Sequence, residues 1–142
     1  MIEEKHTMRL PHNAHLAIAD GNRFVLMRNA GSPDEPRLVQ EAAPDLEGTN
    51  FSAGVRKQDE AGQRTGSTDL NELAYAAAVA EWLNKAVLEN RIEKLGIAAD
   101  PKTLGEMRRH YHKSLEAVLV GEEAKTLTGE STERIEKTLL SS

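Results

Sequence analysis

The chain contains no cysteine. That absence excludes disulfide scaffolds, thiolate metal sites and thiol nucleophiles, and it fits a reducing compartment. Aromatic residues are scarce: Phe24, Phe51, Tyr75, Trp82 and Tyr111 are the full set in 142 residues. The core therefore has to be aliphatic, and its alanine-lined faces bury little area per residue while letting elements approach closely. No apolar run approaches the length of a membrane span, so no membrane partner is expected. The opening "MIEEKHTMRL" is acidic where a secretion signal is basic, and no apolar stretch follows it. A cytoplasmic location is the expectation. Basic charge is not in excess either. A net charge of −5 argues against indiscriminate nucleic-acid binding and leaves room only for a local basic face.

What is present reads as one domain spanning residues 1–142. "HLAIAD" (15–20) alternates around Leu16 and Ile18, and "DGN" supplies a hairpin turn in which Gly21 can take positive φ. "RFVLMRN" (23–29) and "RLVQEA" (37–42) follow as the second and third strands, separated by the turn "AGSPDEP". Residues 44–68 have no regular periodicity and are expected to form a long flexible loop. Asp69 and Glu72 then make a capping pair ahead of a helix, in which Leu70, Leu73, Ala77, Ala80, Leu83 and Val87 share a face. Tyr75, Val79, Trp82 and Ala86 widen that face. "LGIAA" (95–99) reads as a buried parallel strand, and Asp100-Pro101 as the cap and first position of a helix. Leu104, Met107, Tyr111, Leu115 and Val118 recur at helical spacing. The stretch 118–128 is ambiguous between strand and helix, because Gly121 weakens one reading and the glutamate pair the other. Ser131 caps a last short helix carrying Ile135 and Leu139. A meander followed by a right-handed crossover puts the fourth strand beside the first. A fifth strand within 120–127 would lie parallel to the fourth. The expected fold is α/β: a ribonuclease-H-like mixed five-stranded sheet, three strands as an antiparallel meander and two parallel, with helices on its faces.

The pieces "AIADGNRFVLMRN", "PKTLGEMRRHYHKSL", "VGEEAKTLT" and "ERIEKTL" resemble the bacterial host-attachment protein family, across about residues 13–140. That family is similar in turn to the middle domain of archaeal and eukaryotic peptide-chain release factors. The release-factor resemblance implies a Gly-Gly-Gln loop that enters the peptidyl-transferase centre of the ribosome, with an N–H beside the glutamine stabilising a developing oxyanion. The matching residues here are Gly62 and Gln63, in "DEAGQRTGSTDLNE" (59–72), with Arg64 placed to contact RNA phosphate. Ala61 departs from the pattern, since alanine does not reach glycine-only backbone angles without strain.

A rival constellation follows from the fold. Nucleases of the ribonuclease-H type hold two divalent metals between carboxylates, and Asp20, Glu72 and Asp100 stand at roughly corresponding places. Each has a plainer role as turn or cap residue. The histidines offer less. His110 and His112, two apart on a helix, point about 200° from one another. His12 and His15, three apart on an extended segment, face opposite ways. No nucleophile elbow, Walker loop or dinucleotide fingerprint occurs. The one basic cluster is "RRHYHK" (108–113), where Arg109 and Lys113, with Lys102 above them, could touch RNA phosphate. Pairing of these cations with Glu106 and Glu116 on the helix surface is the blander reading. No cofactor is expected. The reading favoured is a release-factor-like binding module acting through the ribosome, RNA or another protein, more in the manner of an adaptor than an enzyme. A peptidyl-tRNA ester hydrolase using Gly62-Gln63 and a metal-dependent nuclease are the two alternatives.

Overall fold

The computed structural model describes residues 8–46 and 64–140. Three strands open it: β1 (His15–Ala19), β2 (Phe24–Asn29) and β3 (Leu38–Ala42). Helix α1 (Arg64–Leu88) precedes β4 (Leu95–Ala99), and α2 (Pro101–Arg108) and α3 (Lys113–Val118) precede β5 (Leu119–Ala124). A last turn of helix, α4 (Thr132–Ile135), runs into a single π turn at Glu136–Leu140. The strand order is β3-β2-β1-β4-β5. The meander is antiparallel, while β4 pairs parallel with both β1 and β5. This is the expected α/β architecture, with a mixed five-stranded sheet and helices against it.

The pleat of β1 divides the core into two layers. Ala17 and Ala19 face α1, joined there by Phe24, Leu26, Val79, Ala80, Leu83, Ile97, Leu104 and Met107. Leu16 and Ile18 face the other way, onto Met8, Leu10, Met27, Leu127, Ile135 and Leu139. Alternation of period two thus sends small residues toward the long helix and large ones toward the thin layer of terminal segments. Phe24 and Trp82 pack edge-to-face with centroids 5.4 Å apart. The aromatic shortage is met by concentrating rings where β2 meets α1.

Several local expectations change. Helix α1 begins at Arg64, so Asp69 and Glu72 lie inside it and form no capping box; residues 64–68, expected as loop, are helical. Residues 44–46 are irregular as expected, and 47–63 lie outside the described residues. Leu70, placed on the apolar face by spacing, is 52% exposed. The helix expected through Tyr111 is broken: α2 stops at Arg108 and α3 starts at Lys113. The cause comes from α1. Asn84 is buried, its Nδ2 donating to the His110 carbonyl (2.9 Å) and its Oδ1 accepting from the His112 N–H (3.0 Å). One side chain satisfies the backbone groups of a turn that helical hydrogen bonding would otherwise have used. The ambiguous stretch after Val118 resolves as strand β5. Its Glu122 is taken up by Arg108 at 3.0 and 2.7 Å and by the Tyr111 hydroxyl at 2.8 Å. Capping by Asp100 of Thr103 N–H and by Ser131 of Arg134 N–H matches expectation.

Candidate functional site at the carboxyl edge of the sheet

In open α/β sheets, ligand sites form beyond the carboxyl ends of the strands, where connections leave in different directions. Here β1 and β4 run parallel with Ala19 opposite Ala99, so Asp20 and Asp100 emerge side by side from the sheet. Asp20 begins the turn into β2. Its Oδ1 accepts from the N–H groups of Asn22 and Arg23, both at 2.7 Å. Gly21 takes no positive φ, contrary to expectation. What it supplies is room, for a Cβ there would lie 2.8 Å from Glu72 Cγ. Glycine thus lets α1 settle directly on the turn.

A second tie closes the same edge from the far end of the chain. Asp20 Oδ2 accepts from the Thr128 hydroxyl at 2.5 Å and from Arg23 Nη2 at 3.3 Å, and Arg23 Nη2 also donates to Thr128 Oγ1 at 3.2 Å. Gly129, at φ 85, passes close beneath the Arg23 guanidinium. Burial alone would push the Asp20 carboxyl up. The hydrogen bonds from Thr128, Asn22 and Arg23, with the Arg23 charge, outweigh it and hold the group below the ordinary carboxylate value. The Tyr75 hydroxyl is pushed up to about 12, chiefly by burial and then by the negative charges of Asp20 and Asp45, so it stays a neutral donor at any working pH.

The three carboxylates of the nuclease reading do converge on this edge, but each is engaged. Asp20 is held as described. Glu72 Oε1 receives Lys102 Nζ at 3.3 Å. Asp100 Oδ2 caps α2, while its Oδ1 is buried without a hydrogen-bond partner among the described residues. Among the described residues, no group of three His, Asp or Glu side chains is arranged to hold a metal ion. A cavity of about 620 Å³ opens beside them, walled by Arg23, Phe24, Asp45, Asn71 and Tyr75 among others.

Gly62 and Gln63 lie outside the described residues. Arg64 is the first residue of α1, so the Gly-Gln pair immediately precedes the helix that rests on Gly21. The basic residues separate. Lys102 belongs to the Glu72 pair, and Arg109, 76% exposed at the side chain, comes no closer than 3.9 Å to Glu106. Lys113 is exposed at the start of α3. The break at 109–112 puts Arg109 and Lys113 on different elements instead of one helical stripe. It also removes the helical geometry assumed for His110 and His112. His110 Nε2 meets Glu106 at 2.9 Å, and His112 stands 3.9 Å from Glu81. His12 donates toward the Gly31 carbonyl at 2.8 Å, whereas His15 is buried against Glu41, so these two share no ligand. Sequence reasoning passed over Arg23, Thr128 and Tyr75. An Asp-x-x-Arg spacing marked the turn, but nothing local pointed from Asp20 to Thr128.

The model of the bacterial archaeo-eukaryotic release factor family 12 matches residues 13–139. A search of curated proteins gives no significant match.

Proposed function

We propose that the chain, which belongs to the bacterial archaeo-eukaryotic release factor family 12, acts as a release-factor-like binding module with a ribosomal or protein partner. The observation that carries this reading is the family match, which runs from before β1 into the π turn. Two features of the chain support it. The Gly62-Gln63 pair directly precedes α1, whose Asn71, Glu72 and Tyr75 border the carboxyl edge of the sheet, where α/β domains present their ligands. Arg109, just past α2, and Lys113, at the start of α3, are exposed and suit contacts to RNA phosphate, which position a complex without reading sequence. Lys102, held by Glu72, would exchange that carboxylate for phosphate. The module works in the cytoplasm, and any role in attachment to host cells is an indirect consequence.

The Gly-Gln pair also favours a second reading, hydrolysis of the peptidyl-tRNA ester, in which Gln63 positions a water. Ala61 weighs against it, standing where the release-factor loop has its first glycine. The deciding experiment is co-sedimentation of the tagged protein with ribosomes from its own host, with and without Arg109→Glu and Lys113→Glu. The wild type is expected in the ribosomal pellet and the double variant in the supernatant. Wild-type protein left in the supernatant at low salt would overturn the ribosomal partner. Peptide release from ribosome-bound peptidyl-tRNA, abolished by Gln63→Ala, would establish the hydrolase instead.

A further inference from the structure

At the amino edge of the sheet, opposite the site above, a chain of polar side chains runs inward from the surface. His15 begins β1 directly opposite Arg28 of β2, and its side chain is 94% buried, being only 6% exposed. Its Nε2 lies 2.9 Å from Glu41 Oε2. A carboxylate only accepts, so Nε2 carries the proton and donates. Its Nδ1 is buried with no partner. Glu41 Oε1 in turn accepts from Arg28 Nε at 2.9 Å, and Arg28 Nη1 donates to Asn13 Oδ1 at 3.0 Å. Hydrogen bonding from His15, and after it Arg28, keeps the Glu41 carboxyl below its ordinary value against the opposing effect of burial. Glu41 is therefore an anion hydrogen-bonded by both His15 and Arg28, and Arg28 is held at Nε and Nη1 with Nη2 making no hydrogen bond among the described residues.

These residues wall a cavity of about 380 Å³ together with Asn90, Arg91 and Glu93. Arg91 gives its Nε to Glu89 at 3.0 Å and lies 5.3 Å from the centre of the Trp82 ring, and neither Nη group makes a hydrogen bond among the described residues. The end of α1 also borders the cavity, and helix carboxyl ends repel anions. Its last carbonyls are covered, however, since Asn90 N–H donates to Val87 O and Arg91 N–H to Ala86 O. Asn13 and Asn90 both adopt positive φ, at 69° and 63°. The Nη2 of Arg28, both Nη groups of Arg91, two asparagine side-chain amides and a buried histidine therefore share one small polar cavity. Glu93, the other carboxylate lining it, pairs with no cation among the described residues.

We propose that this cavity is an oxyanion site that takes a phosphate group through Arg28, Arg91 and the amides of Asn13 and Asn90. The paired Nη donors of Arg91 match two oxygens of a phosphate in a way that a lysine would not, and Arg28 Nη2 adds a further donor. His15 is a positioning residue: by holding Glu41, it fixes Arg28 with its outer edge toward the cavity. The phosphate can be inorganic or part of an RNA backbone, and the two sources are separable by experiment. The inference does not depend on ribosome binding, since it concerns the opposite edge of the sheet.

The test is a titration of the full chain, followed by the ¹⁵N resonances of the Asn13 and Asn90 amides and the Arg28 and Arg91 Nε groups. The probes are sodium phosphate and a short single-stranded oligouridylate, at constant ionic strength. Saturable shifts at all four residues are expected, weakened about tenfold or more in Arg91→Gln and in Arg28→Lys. Glu93→Gln, which removes a competing anion, should tighten binding. Saturation by both probes at similar phosphate concentration identifies the free anion; saturation by the oligonucleotide alone identifies a nucleic-acid backbone. Absence of saturable shifts with either probe overturns the proposal, as does an affinity that Arg91→Gln leaves unchanged. Arg91 is exposed and lies outside the sheet, so that variant remains informative even where Arg28→Lys disturbs the sheet.

Discussion

Asn90 holds the left-handed region at φ 63, where most side chains crowd the backbone. It stands just past the end of α1, with its own N–H on Val87 O and the next N–H on Ala86 O. That is the paired-bond ending in which glycine is the usual residue and asparagine the next best. The consequence is a sharp ordering of substitutions. Asn90→Ala is expected to lower stability by about 1 kcal/mol, the penalty of a Cβ in that region. Asn90→Gly should leave stability unchanged or slightly higher. Urea denaturation of the three proteins checks this. A glycine variant as unstable as the alanine one would show that the side-chain amide, and not the backbone angle, is what the position requires.

Asn84 plays the corresponding part between elements. It is 1% exposed and stitches α1 to the turn that separates α2 from α3, through His110 O and His112 N–H. Replacing it with leucine keeps the volume but strands two backbone groups in a partly covered turn, an expected loss of about 2 kcal/mol. The diagnostic is local. Hydrogen exchange at the His112 amide should accelerate in Asn84→Leu well beyond what the change in global stability explains. Equal protection in both proteins would remove Asn84 as the cause of the break.

The same residue shows where a sequence is readable and where it is not. The meander, β4, the Asp100 and Ser131 caps and the burial of Ile135 and Leu139 all follow from neighbours within a few positions, and all were legible. The spacing of Leu104, Met107, Tyr111 and Leu115 was equally regular. It pointed to one helix because the clamp that interrupts it comes from a separate element. The start of α1 at Arg64 has the mirror-image cause, for Asp69 and Glu72 satisfied a capping pattern in the middle of a helix that runs past it. At the site, the Asp-Gly turn could be read, whereas the bond from Asp20 to Thr128 spans nearly the whole chain and leaves no local trace.

On the scale of the whole molecule, that bond ties the first hairpin to the connection after the last strand. Against its burial, the Asp20 carboxyl is held below its ordinary value by the hydrogen bonds from Thr128, Asn22 and Arg23. A carboxylate favoured by the fold contributes stability that is fully present above the unfolded value and is lost as pH falls through the folded one. Stability of the wild type should therefore decline steeply below about pH 4. In Asp20→Asn that part of the decline is expected to vanish, leaving a protein weaker at neutral pH and less sensitive to acid. Thr128→Val should lie between the two. Parallel acid profiles for wild type and Asp20→Asn, from thermal melts between neutral pH and pH 3, would contradict the role given to this carboxylate.

The central position of β1 has a consequence in time as well as in space. Its antiparallel partner β2 follows within a few residues, whereas its parallel partner is β4, with His15 opposite Leu95. During synthesis the hairpin can close as soon as it emerges, yet the middle strand of the sheet keeps one side unpaired until everything through Ala99 has been made. Pairings so far apart in the chain close slowly, because the loop entropy comes due before the contacts that offset it. Early in its life this chain is thus a meander with an open inner edge, exposing on one side the backbone groups that later become its centre. Unpaired strand edges invite pairing with other chains. The interval between the emergence of β1 and that of β4 is when this protein is most exposed to misassembly.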